Sequence, residues 1–203
     1  MSIAKSRKIK GGNYVQLATV ETDPATGRAQ PRCRSVVFRG FIDDLPAAPG
    51  PPLALKFITD ARSSKVAQIA ANSNSELVWW FSQTSEQYRV SGSLLLVGPA
   101  APVGPAAERL SAERVARWKQ LSDPAREQFF WQDPGKPFSA AESAVPPGGR
   151  DAQGGVLPPP EAFLLMLLQP REVAFLRLGD NFAQRCDWEG PDKGGWSSRR
   201  VNP

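Results

Sequence analysis

The chain has 203 residues, a formal net charge of +5, 20 prolines, 17 glycines, two cysteines and no histidine. A hydrophobic fraction of 41% with 22% charged residues is typical of a globular protein and not of a disordered one. The absence of histidine excludes Ser-His-Asp and Cys-His catalysis, histidine-ligated zinc or haem, and a histidine pH switch. Chemistry must therefore come from other side chains or from a bound cofactor. We expect no metal site, and the sequence assigns no catalytic residue.

Short stretches that are β-branched, aromatic or alternately apolar dominate the sequence and predict strands. They cover residues 15–20, 32–41, 53–59, 77–82, 87–97, 163–168, 172–178 and 183–187. Turn residues at 23–27 predict a hairpin between the first two strands. The apolar run at 162–168 is too short for a bilayer, which takes about 20 helical residues, and predicts a strand buried on both faces.

Two stretches predict helices, residues 63–71 behind a serine cap and residues 111–121. Their apolar faces are Val66, Ile69 and Ala70 in the first and Val115, Trp118 and Leu121 in the second. The pair Asp123-Pro124 then starts a short helix that ends near Trp131. Many strands with few helices and no βαβ alternation predict a mainly β fold, an antiparallel barrel with a few peripheral helices.

The longest segment rich in proline and glycine covers residues 134–160 and cannot form a long helix or a central strand. Only about 43 residues follow it, which is too few for a comfortable second domain. We therefore expect a single domain over residues 1–203, with 134–160 as an excursion from it.

The two cysteines, Cys33 and Cys186, lack metal-ligand spacing. A disulfide is one interpretation, and two reduced thiols in a cytoplasmic protein are the favoured one. The basic N-terminus lacks the apolar run of a secretory signal. The excess of basic residues leaves a polyanion-binding protein as a weaker alternative, because most of these residues alternate with acidic ones along the chain.

A candidate phosphate site lies at the start of the first predicted helix. Its first turn presents backbone N–H groups, Ser63 and Ser64 add hydroxyls, and Arg62 and Lys65 add positive charge. A capped surface helix with exposed basic residues explains the same pattern, and on these residues alone it is the favoured interpretation.

Three arginines, Arg32, Arg34 and Arg39, lie in an otherwise apolar predicted strand. Alternation places Arg32 and Arg34 on one face and Arg39 on the other. An arginine among apolar neighbours needs an anionic partner, which either a bound anion or a carboxylate of the chain would supply.

Three segments in order carry a resemblance to a known family. They are RSVVFR at 34–39, FITDARSSK at 57–65 and QYRVSG at 87–92. The end of the chain adds Trp196 and a terminal R-x-x-P at 200–203. Together they make the chain similar to the pyridoxamine 5′-phosphate oxidase-like FMN-binding proteins over nearly its whole length.

The resemblance implies a split β-barrel that forms a homodimer with FMN at the interface. It implies that Arg34 and Lys65 bind the flavin phosphate, with Ser63 and Ser64 assisting. The further cofactor contacts it implies are Ser35, Val36, Val37, Arg39, Ile58, Thr59, Gln87, Phe175 and Arg185. The flavin would perform the electron transfer, so the missing histidine is no obstacle.

Roles near the flavin ring follow from the same resemblance. Gln87 would hydrogen-bond the pyrimidine side, and Arg39 stands where the family usually has a lysine. Phe175 would lie against the ring, and Arg185 would reach it from the second subunit. A cation near the N1/C2 edge of the ring, supplied by Arg185 or Arg39, would stabilise reduced, anionic flavin.

Departures from the family concern the substrate. Trp118, Ser122 and Arg126 stand where the family's phosphate-binding tyrosine, arginine and serine are expected. The sequence at 181–183 is Asn-Phe-Ala where vitamin B6 oxidases have R-x-H. These departures argue against vitamin B6 phosphate oxidation. Arg126 would either bind an anionic substrate or lie on the exposed surface of a helix, and the surface position is the favoured interpretation. Trp118 would occupy part of the substrate-binding region.

Three functional hypotheses follow. The first is an FMN-dependent oxidoreductase acting on an unidentified small molecule, the second is an FMN-binding carrier or sensor without turnover, and the third is a basic polyanion-binding module. A membrane or nucleic-acid partner is not expected.

Overall fold

The computed structural model describes residues 3, 9, 11–43, 45, 51–100, 106–138 and 145–203. The strands are β1 (Tyr14–Thr22), β2 (Ala29–Val37), β3 (Phe41–Ile42), β4 (Ala54–Asp60), β5 (Asn74–Phe81), β6 (Glu86–Val97), β7 (Phe163–Arg177), β8 (Phe182–Trp188) and β9 (Trp196–Val201). The helices are α1 (Ser64–Ala71), α2 (Ala107–Lys119) and α3 (Asp123–Glu127), and a 3-10 turn, Gln128–Phe130, continues α3.

The strands form one sheet in the order β2-β1-β5-β6-β7-β4-β3, with β8 added on β7 and β9 on β8. Each strand pair with a described register is antiparallel, for example Tyr14 opposite Val37 between β1 and β2. Within the described residues the order has two ends, β2 and β3, so the sheet is not closed. The predicted fold class is confirmed, because this β-rich arrangement with three helices is consistent with a split β-barrel.

Most of the predicted strands are confirmed, with three differences. The predicted strand at 32–41 ends at Val37, because Gly40 has a φ of +118° and turns the chain before β3. The predicted strands at 163–168 and 172–178 are one strand, β7, which passes through Pro170. The sequence did not predict β9.

The contacts within the chain divide it into two compact units. Unit 1 contains residues 1–57, 68–95 and 167–203, and unit 2 contains residues 58–67 and 96–166. The expectation of a single domain stays a prediction. Among the described residues, no helix combines the length and the apolar character needed to cross a bilayer.

The core of unit 1 is aromatic. Trp79 and Phe81 are almost fully buried, and their ring centroids lie 4.9 Å apart. The ring of Phe38 lies 4.6 Å from that of Trp79. These rings face inward because alternate residues of β5 point to one face of the sheet, while Trp80 between them is 44% exposed.

Gly92 is the last residue of the 87–92 motif, and in unit 1 the backbones of β6 and β7 approach so closely at this position that only glycine fits. A Cβ atom at this position would lie 2.0 Å from the carbonyl oxygen of Gln169 and 2.9 Å from the Cα of Pro170. No side chain fits at such distances, so any other residue would push the backbone of β6 away from that of β7. The glycine of this motif therefore has a packing role.

The core of unit 2 is a cluster around Trp118 that also contains Leu121, Phe129 and Phe163. The indole of Trp118 is fully buried, and its Nε1 donates to the carbonyl oxygen of Leu157 at 2.6 Å. The rings of Phe163 and Phe129 lie 5.0 and 5.7 Å from it in edge-on geometry. The predicted buried run is confirmed from Phe163 to Leu168, where every residue is at most 7% exposed, whereas Ala162 is half-buried and precedes the strand.

Both predicted helix faces are partly wrong. In α1 the buried residues are Gln68 and Ile69, and Ala70 is exposed. In α2 Arg114 is buried, whereas Val115 is 37% exposed. Arg114 can be buried because its Nε donates to the carbonyl oxygen of Phe163 and its Nη2 to that of Pro160, each at 2.8 Å.

Arg126, a residue of α3, is hydrogen-bonded to the proline- and glycine-rich segment. Its side chain is 1% exposed, and its Nε donates to the carbonyl oxygen of Gly148 at 2.7 Å. The same guanidinium also binds the carbonyl oxygen of Leu121 and the carboxylate of Asp123. The prediction of a surface arginine is therefore wrong.

The described part of the predicted excursion, residues 134–138 and 145–160, contains only a 3-10 turn at Pro147–Gly149 and an isolated bridge between Arg150 and Val156. Residues 139–144 lie outside the described part of the chain. The backbone of Gly149 passes so close to Arg126 that a Cβ there would lie 2.9 Å from that side chain. The glycines thus allow the segment to pack against the arginine.

Asp123 is expected to make stability depend on pH. Its carboxylate accepts from Arg150 Nε at 3.0 Å and Nη2 at 2.9 Å, and also from Arg126. The hydrogen bond from Arg150 is the main cause that lowers the pKa of Asp123 below its ordinary value of 3.8. The folded state thus favours the ionised form, and this stabilisation is present above the ordinary pKa and lost as the pH falls through the lowered one.

We therefore expect Asp123→Asn to lower the free energy of unfolding at neutral pH, and its difference from wild type to shrink below pH 3.8. Urea unfolding over a pH series measures this difference. Asp192→Asn, at an exposed residue of a 3-10 turn, is the matched control. A difference that stays constant with pH would contradict the assignment.

Candidate functional site

The predicted phosphate residues of unit 2 come together between the end of β4 and the start of α1. Lys65 Nζ donates to Thr59 Oγ1 at 3.1 Å and to Ser63 Oγ at 2.9 Å. Ser63 Oγ in turn donates to the carbonyl oxygen of Asp60 at 2.8 Å. We call Thr59, Ser63 and Lys65 the Lys65 cluster. It combines an ammonium, two hydroxyls and the N–H groups of a helix start, which suit a phosphate.

The neighbouring predicted residues have different surroundings. Ser64 is the exposed first residue of α1, where its hydroxyl is accessible. Ile58 packs against the aromatic cluster around Trp118. Ile58 is half-buried, so its side chain has a packing role, and the cofactor contact that the resemblance implies for it stays a prediction.

Arg62 is bound by carboxylates of its own chain. It donates to Asp60 Oδ1 from Nε at 2.9 Å and to Oδ2 from Nη2 at 2.6 Å, and it also pairs with Asp133 at 3.2 Å. The hydrogen bond to Asp60 is the main cause that raises the pKa of Arg62. The charge that the sequence assigned to the phosphate site from Arg62 is therefore already matched by acidic residues.

Arg34, in unit 1, is held by neutral oxygen atoms. Its Nη1 donates to Thr19 Oγ1 at 2.6 Å and to the carbonyl oxygen of Leu17 at 3.3 Å, and its Nη2 donates to Gln68 Oε1 at 2.9 Å. Burial is the main cause that lowers the pKa of Arg34. Within the described part of the chain this guanidinium makes no ion pair, whereas nearby Arg32 pairs with Glu21 at 2.5 Å. A bound anion would match the charge of Arg34.

The next predicted contacts lie at or after the end of β2, which is an edge of the sheet among the described strands. Ser35 is exposed, while Val36 and Val37 are half-buried. An edge strand leaves alternate N–H and C=O groups unpaired on its outer side, so this geometry suits main-chain contacts with a ligand. The N–H of Arg39, beyond the strand, donates to the carbonyl oxygen of Lys56 at 2.8 Å.

Gln87 and Phe175 belong to unit 1 as well. Gln87 lies on β6 opposite Trp80 of β5. The ring of Phe175 lies 4.8 Å from that of Tyr88 and 5.9 Å from that of Phe182. Phe175 is thus part of an aromatic row on the sheet, and its contact with the flavin stays a prediction.

Arg185 carries a charge that the chain itself balances. It pairs with Glu172 of β7 and, at 3.5 Å, with Asp187 of its own strand. The hydrogen bond to Glu172 is the main cause that raises the pKa of Arg185. The predicted role of this residue toward reduced flavin would require a rearrangement of these pairs.

Two of the three residues aligned with the family's substrate-phosphate positions are used inside unit 2. The indole of Trp118 is part of the core, and Arg126 binds main-chain carbonyls and Asp123. Neither side chain is available to a ligand, so the expectation of a substrate role for Trp118 is wrong. Ser122 precedes α3 in an extended conformation.

Thr19 and Gln68 are residues that sequence reasoning missed. Their hydroxyl and carboxamide orient Arg34 and are bonded to each other at 2.6 Å. Both are almost fully buried. Gln68 lies off the predicted apolar face of α1, so the sequence pattern contains no signal that would have identified it.

These observations fit a phosphate-bearing cofactor. The Lys65 cluster offers an ammonium and hydroxyls at a helix start, and Arg34 offers a partly buried cation whose hydrogen-bond partners among the described residues are neutral. Each group, taken by itself, is suited to bind an anion such as the phosphate of a nucleotide.

Comparison with known proteins agrees with this assignment. Residues 1–98 match the family "Pyridoxamine 5′-phosphate oxidase, FMN-binding domain". The chain is 29% identical over 206 residues to a pyridoxine/pyridoxamine 5′-phosphate oxidase 2 of Arabidopsis thaliana, covering 100% of this chain and 93% of the relative.

One solved structure shows the same relationship, and a second shares the fold. A pyridoxamine 5′-phosphate oxidase-related, FMN-binding protein of Nostoc punctiforme is 34% identical, with a TM-score of 0.77 and coverage of 100% of this chain and 94% of the other. PhzG of Burkholderia lata, solved with tetrahydrophenazine-1-carboxylic acid, shares the fold at 21% identity, with a TM-score of 0.66 and coverage of 98% and 87%. The chain therefore belongs to the pyridoxamine 5′-phosphate oxidase-like FMN-binding family, and FMN is its cofactor.

Proposed function

We propose that the protein is an FMN-dependent oxidoreductase that acts on a small molecule. The observation that carries the proposal is that the described residues orient two basic groups, Arg34 through Thr19 and Gln68 and Lys65 through Thr59 and Ser63. Such groups are oriented before a ligand arrives and lose little side-chain freedom on binding an anion.

The residues of the chain bind and orient the cofactor in this proposal. Lys65 and Arg34 bind the phosphate, the end of β2 contributes main-chain groups, and Gln87 hydrogen-bonds the ring. FMN, when bound, supplies the transfer of electrons, a reaction that needs no histidine.

We further propose a homodimer with FMN at its interface, as the family resemblance implies. The exposed edge of β2 favours this, because unpaired strand edges and their flanking residues readily contact a second chain. We also propose a cytoplasmic location, because Cys33 and Cys186 are both free thiols.

In this proposal the substrate is not a vitamin B6 phosphate, although the Arabidopsis relative is named a pyridoxine/pyridoxamine 5′-phosphate oxidase. Trp118 and Arg126 are buried and already bonded, so they do not form a substrate-phosphate site. An FMN carrier or sensor without turnover is the second candidate, which the ion pairs of Arg185 favour.

The absorption spectrum of the purified protein tests the cofactor assignment, and sedimentation of the loaded protein tests the dimer. We expect a flavin spectrum with one FMN per chain and the mass of two chains. A colourless protein that takes up no added FMN would contradict both flavin hypotheses and leave the polyanion-binding module. A single-chain mass would contradict the dimer alone.

Anaerobic reduction separates the oxidoreductase from the carrier. NADH, NADPH and a substrate panel that includes pyridoxamine phosphate are mixed with the loaded protein, and bleaching of the flavin band is followed. We expect at least one donor to reduce bound FMN faster than free FMN. If none does, the carrier or sensor function is favoured. Bleaching of the flavin band by pyridoxamine phosphate itself, which would show that this compound donates electrons to bound FMN, would overturn the substrate argument.

A further inference from the structure

Unit 1 contains an apolar pocket with a volume of about 450 Å³. Its floor includes Leu55, Phe81 and Val90, which are 5%, 2% and 7% exposed. Its rim includes Phe41 and Trp196, which are 40% and 39% exposed. The buried floor offers a ligand an apolar surface, and the half-exposed aromatic side chains at the rim leave the pocket open to solvent, so that a ligand can enter.

The lining determines the charge of a ligand. Among the described residues that line it, all are aliphatic or aromatic apart from Cys186, and none carries a formal charge at neutral pH. A charged molecule would lose its hydration here without gaining a partner, which is strongly unfavourable. The pocket therefore selects neutral molecules.

The volume determines the size of a ligand. An apolar cavity of about 150 Å³ holds one benzene ring. About 450 Å³ is three times that volume, so two or three rings fit. The aromatic lining favours flat rings, which pack edge-on or offset against such side chains.

On β6 the pocket lies on the opposite face from Gln87, which is one of the predicted flavin contacts. Tyr88 and Val90 of β6 line it, and Gln87 lies between Glu86 and Tyr88 on the same strand. Adjacent residues of a strand point to opposite faces, so Gln87 points away from the pocket. Phe175, another predicted flavin contact, lies two residues after the lining residue Val173 on β7 and shares its face, with its ring 4.8 Å from that of Tyr88. None of the residues expected to contact FMN is itself among the lining residues.

We propose that this pocket binds a neutral aromatic molecule of two or three rings, at a site that uses none of the residues expected to contact FMN. The proposal does not depend on the oxidoreductase function, because it needs only the uncharged lining, the volume and the placement of the pocket.

Equilibrium dialysis of the FMN-loaded protein against N-phenyl-1-naphthylamine, a neutral three-ring probe, tests this. We expect saturable binding of one probe per chain without release of FMN. Val173→Arg, which adds a charge to the lining, is expected to weaken binding about tenfold or more. Val173→Phe, which fills part of the volume without a charge, is expected to weaken it as well and covers the case in which the arginine variant does not fold.

The control variant is Leu178→Arg, just beyond the end of β7, because Leu178 is 52% exposed and does not line the pocket. It should bind the probe like wild type. A second measurement uses the two thiols: the probe should slow alkylation of Cys186, which lines the pocket, and leave that of the exposed Cys33 unchanged. Absence of saturable binding, equal binding by all variants, or displacement of the probe by FMN would overturn the proposal.

Discussion

Lys65→Ala is expected to weaken FMN binding by about 1–3 kcal/mol, the range for hydrogen bonds to a charged group, or about 5-fold to 150-fold in Kd. The ammonium is held by Thr59 and Ser63 beside a helix start, so its loss removes the cation of the Lys65 cluster. Fluorescence titration of the apoprotein with FMN measures the change.

Riboflavin provides a control for this result, because it has the flavin ring without the phosphate. Its affinity should be nearly the same in Lys65→Ala and wild type. Lys119→Ala, at an exposed residue of α2, is the matched variant and should bind FMN normally. Unchanged FMN affinity in Lys65→Ala, or an equal loss for riboflavin, would show that the phosphate lies elsewhere.

Trp118→Ala is expected to lower the free energy of unfolding by about 3–5 kcal/mol, the usual cost of removing a fully buried large aromatic side chain. The substitution leaves a cavity among Leu121, Phe129 and Phe163, and it leaves the carbonyl oxygen of Leu157 without its donor. Chemical unfolding at neutral pH measures the loss.

Trp131→Ala is the matched control, because Trp131 is 53% exposed. It should change the free energy of unfolding by about 0.5 kcal/mol or less. Trp118→Phe separates the two contributions, since it keeps a ring in the cluster and removes the Nε1 donor. If Trp118→Ala had no effect on stability, the core assignment would be wrong and a substrate role would be open again.

The sequence predicted the fold class well because strands leave a local signal. Alternating and β-branched residues identified most strands, and the fully apolar run at 163–168 identified the buried start of β7. The errors arose where tertiary contacts outweigh such patterns. Arg114 replaces Val115 on the buried face of α2, because two carbonyl oxygens satisfy its guanidinium.

The candidate site was predictable to the extent that its residues are close in sequence. Thr59, Ser63 and Lys65 lie within seven positions, so one motif contained the whole cluster. The residues that orient Arg34 are far from it, 15 positions for Thr19 and 34 for Gln68. Only the fold brings such residues together, and the same holds for the carboxylate that neutralises Arg185.

The bonds of Arg126 bear on how functions are transferred between relatives. An arginine at this position looks like a substrate-phosphate ligand when sequences are aligned. Here it closes a main-chain turn at Gly148 and pairs with Asp123. A relative that keeps both the glycine and the aspartate has a structural reason to keep the arginine, whatever its substrate. In such relatives, this arginine is no marker of a phosphorylated substrate.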